Sequence, residues 1–235
     1  MNFSQVKSLS IPEGDVRRIE INGVTVWQRI PIAYQEVEWI ANQATKNQDV
    51  AIDTGVIPSN VPSLKIELDV MPLSRTGAYS SSNGVMLGCR SMSKYEWCIR
   101  ESGGYFGAYT YDTGNILTST TNVVLNERYT IVYHGNSLSV NDNTGTTRAS
   151  ATSLGYPTNS IYLFRWNDAD GYTNTRINYR LYSCKIYSHD VLIRDFIPCY
   201  EKADTSNIGL YDYVSGTFHG IVSGTTGNLI RGEDV

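Results

Sequence analysis

The chain has 235 residues, 41% hydrophobic and 18% charged, and its 19 Lys and Arg against 23 Asp and Glu leave a formal net charge of −4. A slightly negative chain without a Lys/Arg cluster is poorly suited to non-specific nucleic-acid binding, and no apolar run is long enough to cross a bilayer as a helix. The length suits one large β domain or a domain plus an appendage, and 17 Tyr and 20 Gly without long helix-forming stretches favour an all-β chain.

The opening MNFSQVKSLS lacks the charged-then-apolar layout of a secretory signal, so the expectation is a protein made and kept in a cytoplasm or released by lysis. Next comes VRRIEINGVTVWQR (16–29). Asn22-Gly23 between two alternating runs is a strong hairpin signal, because a type I′ turn needs φ > 0 at both central residues. A two-residue loop sets Ile21 opposite Val24, Glu20 opposite Thr25, Ile19 opposite Val26, and Arg18 opposite Trp27 as a candidate cation–π pair. Ile19, Ile21, Val24 and Val26 then share one face, and Trp27 lies on the other. Residues 6–12 alternate as well and can add a third strand. Burying four aliphatic side chains does not offset the entropy of ordering such a ribbon. Its apolar face must therefore dock on the body, a sister subunit or a larger assembly. Residues 1–30 are read as an attachment module, RIPIA (29–33) as a connector, and 34–235 as the body.

In the body, EVEWIA (36–41) and DVAIDTGVI (49–57) come first. LKIELDV (64–70) points Leu64, Ile66, Leu68 and Val70 one way and Lys65, Glu67 and Asp69 the other. GVMLGCR (84–90), YEWCIRE (95–101), YFGAYTY (105–111) and NVVL (122–125) follow, then RYTIVYHGNSLSVND (128–142) with a turn at Gly135-Asn136. SIYLFRW (160–166), INYRLYSCKIY (177–187), VLIRDFIPC (191–199) and IGLYDYVSGTFHGIV (208–222), with a turn near Ser215-Gly216, complete the series. Short strands punctuated by Gly, Asn and Ser predict a two-sheet sandwich or jelly roll. Polar stretches at 74–84, 112–122, 141–153 and 167–175 read as loops, either recognition loops on a rigid scaffold or passive linkers. Cys89, Cys98, Cys184 and Cys199 have no C-x-x-C spacing; they read as reduced, buried thiols, although Cys89 and Cys98 can face each other across a hairpin.

YQEVEWIANQATKNQDVAIDTGVIPS and RLYSCKIYSHDVLIRDFIPCYEKADTSNIGLYDYVSGTFHG resemble the two ends of the concanavalin A-like, laminin G-like domains of bacteriophage and prophage virion proteins. The matching residues are Ile52-Asp53-Thr54-Gly55, Lys185-Ile186-Tyr187, Ile193 through Cys199, and Gly209-Leu210-Tyr211-Asp212. The leader also resembles a short N-terminal module of phage structural proteins. The resemblance implies an all-β jelly-roll lectin-type sandwich carried on a virion, and it transfers no catalytic residue.

Candidate chemistry is sparse. Asp-Thr-Gly occurs at 53–55 and 112–114, but the copies are too close for two aspartic-protease lobes, so they read as strand-ending turns. Glu67 and Asp69 are a fragment of the Glu-x-Asp-x-(x)-Glu of retaining glucanases, with no third acid because Met71 and Pro72 follow. Asp168 and Asp170, with Asn167 and ahead of Gly171, place hard oxygen ligands close together, so a calcium site is weighed against an Asx-rich turn; the loop lacks a closing Glu. In YFGAYTY, Tyr105, Tyr109 and Tyr111 share a face with Gly107 as an open notch, and Trp166 and Tyr172 flank the acidic loop. Such a row can stack on sugar rings, or pack beneath loops or against a neighbouring subunit.

These readings converge on a non-enzymatic phage tail or fibre protein, assembled in the bacterial cytoplasm and displaying a lectin-like domain for a host-surface glycan. It would contact other virion proteins through residues 1–30 and form a homo-oligomer, with no nucleic acid, membrane insertion or cofactor. A decoration protein without a glycan ligand and a divergent glycan hydrolase of the same fold are the alternatives.

Overall fold

The strand Lys65–Arg75 sets the pattern for the rest of the molecule. Its inward residues Ile66, Leu68 and Val70 are buried while Lys65, Glu67 and Asp69 face outward, as the alternation predicts, and it continues past residue 70 to Arg75. A computed structural model describes residues 18–21, 24–28, 30–43, 50–75, 84–91, 95–110, 115–135, 137–147, 157–168, 177–224 and 226–235. Among these residues there is no α-helix, only two short 3-10 turns, Pro58–Asn60 and Thr226–Asn228.

Two sheets face each other. The first runs in the order Thr146–Thr147, Asn115–Asn122, Tyr105–Thr110, Tyr95–Ser102, Gly84–Ser91, Tyr162–Leu163, Ala51–Asp53 and Ile221–Ser223. The second runs Asn143–Thr144, Ser137–Val140, Tyr129–His134, Lys65–Arg75, Ile177–Ser188, Val191–Glu201, Asp204–Asp212 and Thr217–His219. Pairing is antiparallel except for Trp166–Asp168, which lies parallel to Gly84–Ser91. The core between the sheets is closed by ring pairs. Trp97 meets Tyr133 edge-on at 5.3 Å, Phe106 meets Tyr129 at 5.1 Å, and Phe164 stacks on Tyr179 at 4.8 Å. At one edge, Val37 pairs with Asp234 and Val235 donates to the Glu36 carbonyl, so the start and end of the body run side by side.

The leading ribbon, Arg18–Ile21 and Val24–Gln28, forms a two-stranded sheet of its own. Ile21 pairs with Val24 and Glu20 with Thr25, as expected, but a bulge then shifts the register. Ile19 pairs with Trp27 instead of Val26, and Arg18 with Gln28 instead of Trp27. One extra residue on the second strand breaks the strict period-two alternation on which the expected four-residue apolar face depends. Asn22-Gly23 and residues 6–12 lie outside the described residues.

Three further expectations change. The strand expected at 122–125 lies instead at Asn115–Asn122, in a stretch read as a loop. Its Thr-rich composition tolerates a pleated surface, and Leu117 and Ser119 are the buried positions. SIYLFRW does not continue as one strand: Tyr162–Leu163 ends at Phe164, whose φ is +71°, and the chain turns back into Trp166–Asp168. Phe164 N–H donates to the Met86 carbonyl at 2.7 Å, and the Tyr179 hydroxyl donates to that carbonyl at 2.7 Å, which pins the reversal to both sheets. Finally, Cys89 pairs with Trp97 and Cys98 with Gly88, so the two thiols point to opposite faces; all four cysteines are free and buried.

Candidate functional site

The outer face of the first sheet collects the charged and aromatic groups. In YEWCIRE, Trp97 and Ile99 enter the core, so Glu96, Cys98 and Arg100 take the other face. Gly107 and Tyr109 lie on that face of the neighbouring strand, opposite Arg100 and Cys98, and Tyr105 lies opposite Ser102. The reversal at Phe164 brings in the third strand: Trp166 pairs with Gly88 and Asp168 with Arg90.

Two transverse rows result. One reads Trp166, Gly88, Cys98, Tyr109, two aromatics with two small residues between them. Three strand spacings separate its ends, about 14 Å. The other reads Asp168, Arg90, Glu96. Gly88 is obligatory in its row, since a Cβ there would lie 2.6 Å from the Cys98 Cβ and 2.7 Å from the Trp97 carbonyl oxygen.

The charges on this face are largely withdrawn from water. Arg100 is 8% exposed and Glu96 9%. The Arg100 guanidinium lies 4.3 Å from the centre of the Tyr109 ring. Its Nε is buried and without a hydrogen-bond partner among the described residues, as is Trp166 Nε1. Arg90 lies 3.5 Å from the Asp168 carboxylate and 5.8 Å from the Trp166 ring centre. Burial pushes the Glu96 carboxyl up to about 7; Arg100 and Arg90 oppose that shift and Asp168 adds to it.

Of the residues singled out in the sequence, Tyr105, Tyr109, Trp166 and Asp168 therefore lie on one sheet, with Tyr105 and Tyr109 on one face as the alternation predicts. Tyr111, Tyr172 and Asp170 lie outside the described residues. Gly107 is buried opposite Arg100 and is not an open notch. Asn167 points away from Asp168 and donates to the Ser160 carbonyl at 3.0 Å, while Asp168 faces Arg90. No group of three or more His, Cys, Asp or Glu that could hold a metal occurs among the described residues. Glu96, Arg90 and Arg100 were not singled out; their alternation opposite Trp97 and Ile99 was visible, but their burial was not.

The remaining candidates have structural roles. Asp53 accepts from the Gly55 N–H at 2.8 Å and Thr54 Oγ1 donates to the Ile161 carbonyl at 2.8 Å, a strand-ending turn with Gly55 at φ +68°. Glu67 is bonded by Lys65 at 2.8 Å and Tyr187 at 2.9 Å, and Asp69 is gripped by both arms of Arg128 at 2.7 Å.

No family model and no curated protein sequence matches the chain. Among solved structures, a Bacteroides ovatus protein described as carbohydrate-binding aligns with TM-score 0.52 at 10% identity, over 85% of this chain and 62% of its own. The chain thus spans less than two thirds of that protein's length. A heptameric SAP-like pentraxin from Limulus polyphemus aligns with TM-score 0.48 at 11% identity, over 65% of this chain and 76% of its own. The fold is a jelly-roll sandwich of two facing sheets.

Proposed function

We propose that this chain is a non-enzymatic glycan-adhesion protein whose binding face is the outer side of the first sheet. The observation that carries the reading is the row Trp166, Gly88, Cys98, Tyr109, flanked by Arg90, Glu96, Asp168 and Arg100. Aromatic rings stack on the apolar faces of sugars, and charged donors and acceptors bond their hydroxyls. Tyr105 extends the same face, and Tyr111 and Tyr172 are its further candidates. The fold shared with the B. ovatus protein supports the same reading. A glycan array tests it: saturable binding lost in Tyr109→Ala, with the melting temperature retained, is the expected result, and an array without signal overturns it.

The particle we propose for it is a phage virion, with the sandwich as a tail or fibre component. The resemblance of both ends of the body to phage domains supports this, as does a leading ribbon that pairs only with itself among the described strands. Two-stranded ribbons are marginal alone. Residues 1–30, with Ile19, Ile21, Val24, Val26 and Trp27, would engage other virion proteins in a homo-oligomer assembled in the bacterial cytoplasm. Deleting residues 1–30 should leave a folded sandwich that no longer enters particles; normal incorporation of the truncated chain refutes the attachment role. Polysaccharide hydrolysis abolished by Glu67→Gln would reinstate an enzyme.

A further inference from the structure

We infer that the sugar bound at this face carries a carboxylate, as uronic and sialic acids do, and that Arg100 is its specificity-determining partner. The inference rests on the glycan-adhesion reading and names the ligand class. It comes from comparing the arginines. Arg90 has Asp168, Arg75 has Glu101, Arg165 bonds the Trp166 carbonyl and Ser223, and Arg194 bonds the Thr54 carbonyl. Arg180 lies over Trp39 with its Nε likewise without a partner among the described residues, but it is only half-buried and is on the other sheet. Arg100 is as buried as Arg165, yet its guanidinium lies over the Tyr109 ring and its Nε has no hydrogen-bond partner among the described residues. Its neighbours across the strands are Val85 and Gly107. Glu96, on the same face of its own strand, acts on Arg100 electrostatically but forms no ion pair with it among the described residues.

A buried donor without an acceptor is costly, and a partner that supplies one gains what the fold leaves unsatisfied. A guanidinium stacked on a ring projects its N–H donors in its own plane, where a planar carboxylate meets two of them at once. A neutral hydroxyl would satisfy one donor and add no counter-charge. The nearby acids oppose an anion only weakly. Asp168 is paired with Arg90, and burial holds the Glu96 carboxyl partly protonated near neutral pH.

Calorimetric titration of the full chain with matched sugars tests this: trigalacturonate against its methyl ester, and sialyllactose against lactose. The wild type should bind at least one acid about tenfold or more tightly than its neutral match, the scale of a charge-assisted hydrogen bond. Which acid binds separates a uronate from a sialate source. Arg100→Gln should abolish the preference, bringing the acid and its neutral match to equal affinity. If that variant does not fold, the Nε–Hε resonance of Arg100 in the unmodified protein should move with the acid sugar and not with its neutral match. Equal affinity for acid and neutral members overturns the carboxylate inference and leaves adhesion standing. No binding of any of the four sugars also overturns the carboxylate inference, and the glycan array then decides adhesion separately.

Discussion

Gly88→Ala is the sharpest perturbation of the row that defines the proposed site. The added methyl would sit 2.6 Å from the Cys98 Cβ, 2.7 Å from the Trp97 carbonyl oxygen and 3.1 Å from the Cys98 Cα. Carbon atoms pack at about 3.5–4.0 Å, so relief requires the two strands to part by about 1 Å. None of the obstructing atoms is the far end of a flexible side chain. The cost therefore belongs at the upper end of overpacking, about 3 kcal/mol. For a chain of this size that corresponds to a melting temperature about 6–12 °C lower. Thermal unfolding followed by circular dichroism measures it. Cys98→Gly in the same chain removes the nearest Cβ and should recover part of the loss, but not all, because the Trp97 carbonyl remains. Unchanged melting in Gly88→Ala, or no recovery in the double variant, would refute this account of the strand spacing.

Glu96 should make stability depend on pH. Its folded pKa, about 7, lies above the ordinary value of 4.5 because of burial, so the folded chain holds more protons than the unfolded one between those limits. Stability is retained below about 4.5 and falls as pH rises toward 7. Glu96→Gln should flatten that part of the profile, melting higher than wild type at pH 8 and like it at pH 4. Asp212 is fully buried and accepts from the N–H groups of Asp195, Val214 and Ser215 at 2.8, 3.0 and 3.2 Å, with Arg194 at 3.6 Å. Asp212→Ala should lose about 3–5 kcal/mol in urea titration, the cost of three backbone N–H donors left without their acceptor and of Arg194 left without its carboxylate. The four buried thiols, with Cys199 pushed up to about 12 by burial, should resist a disulfide reagent in the native state and react once unfolded.

Much of the fold was legible because it rests on period two. Lys65–Arg75 alternates cleanly as far as Pro72, and Ile177–Ser188 alternates on either side of an irregularity at Tyr182-Ser183 that shifts its phase. The Asp of Gly209-Leu210-Tyr211-Asp212 was visible as part of a resemblance, but its work, capping the turn after its own strand, was not. Alternation fails where an extra residue or a positive φ enters. The bulge that moves Ile19 from Val26 to Trp27 and the reversal at Phe164 leave no mark on hydropathy. A strand as polar as Asn115–Asn122 is called by its neighbours, not by its own composition.

The chain by itself determined the β class, the face each core strand turns inward, and the shared side of Tyr105 and Tyr109, because these follow from the pleat of one strand. Only the tertiary structure decided that Trp166 would stand level with Tyr109, that Asp168 would face Arg90, and that Glu96 and Arg100 would lose their water. Those outcomes depend on the register between strands distant in sequence and on what surrounds each charge, which local alternation does not encode.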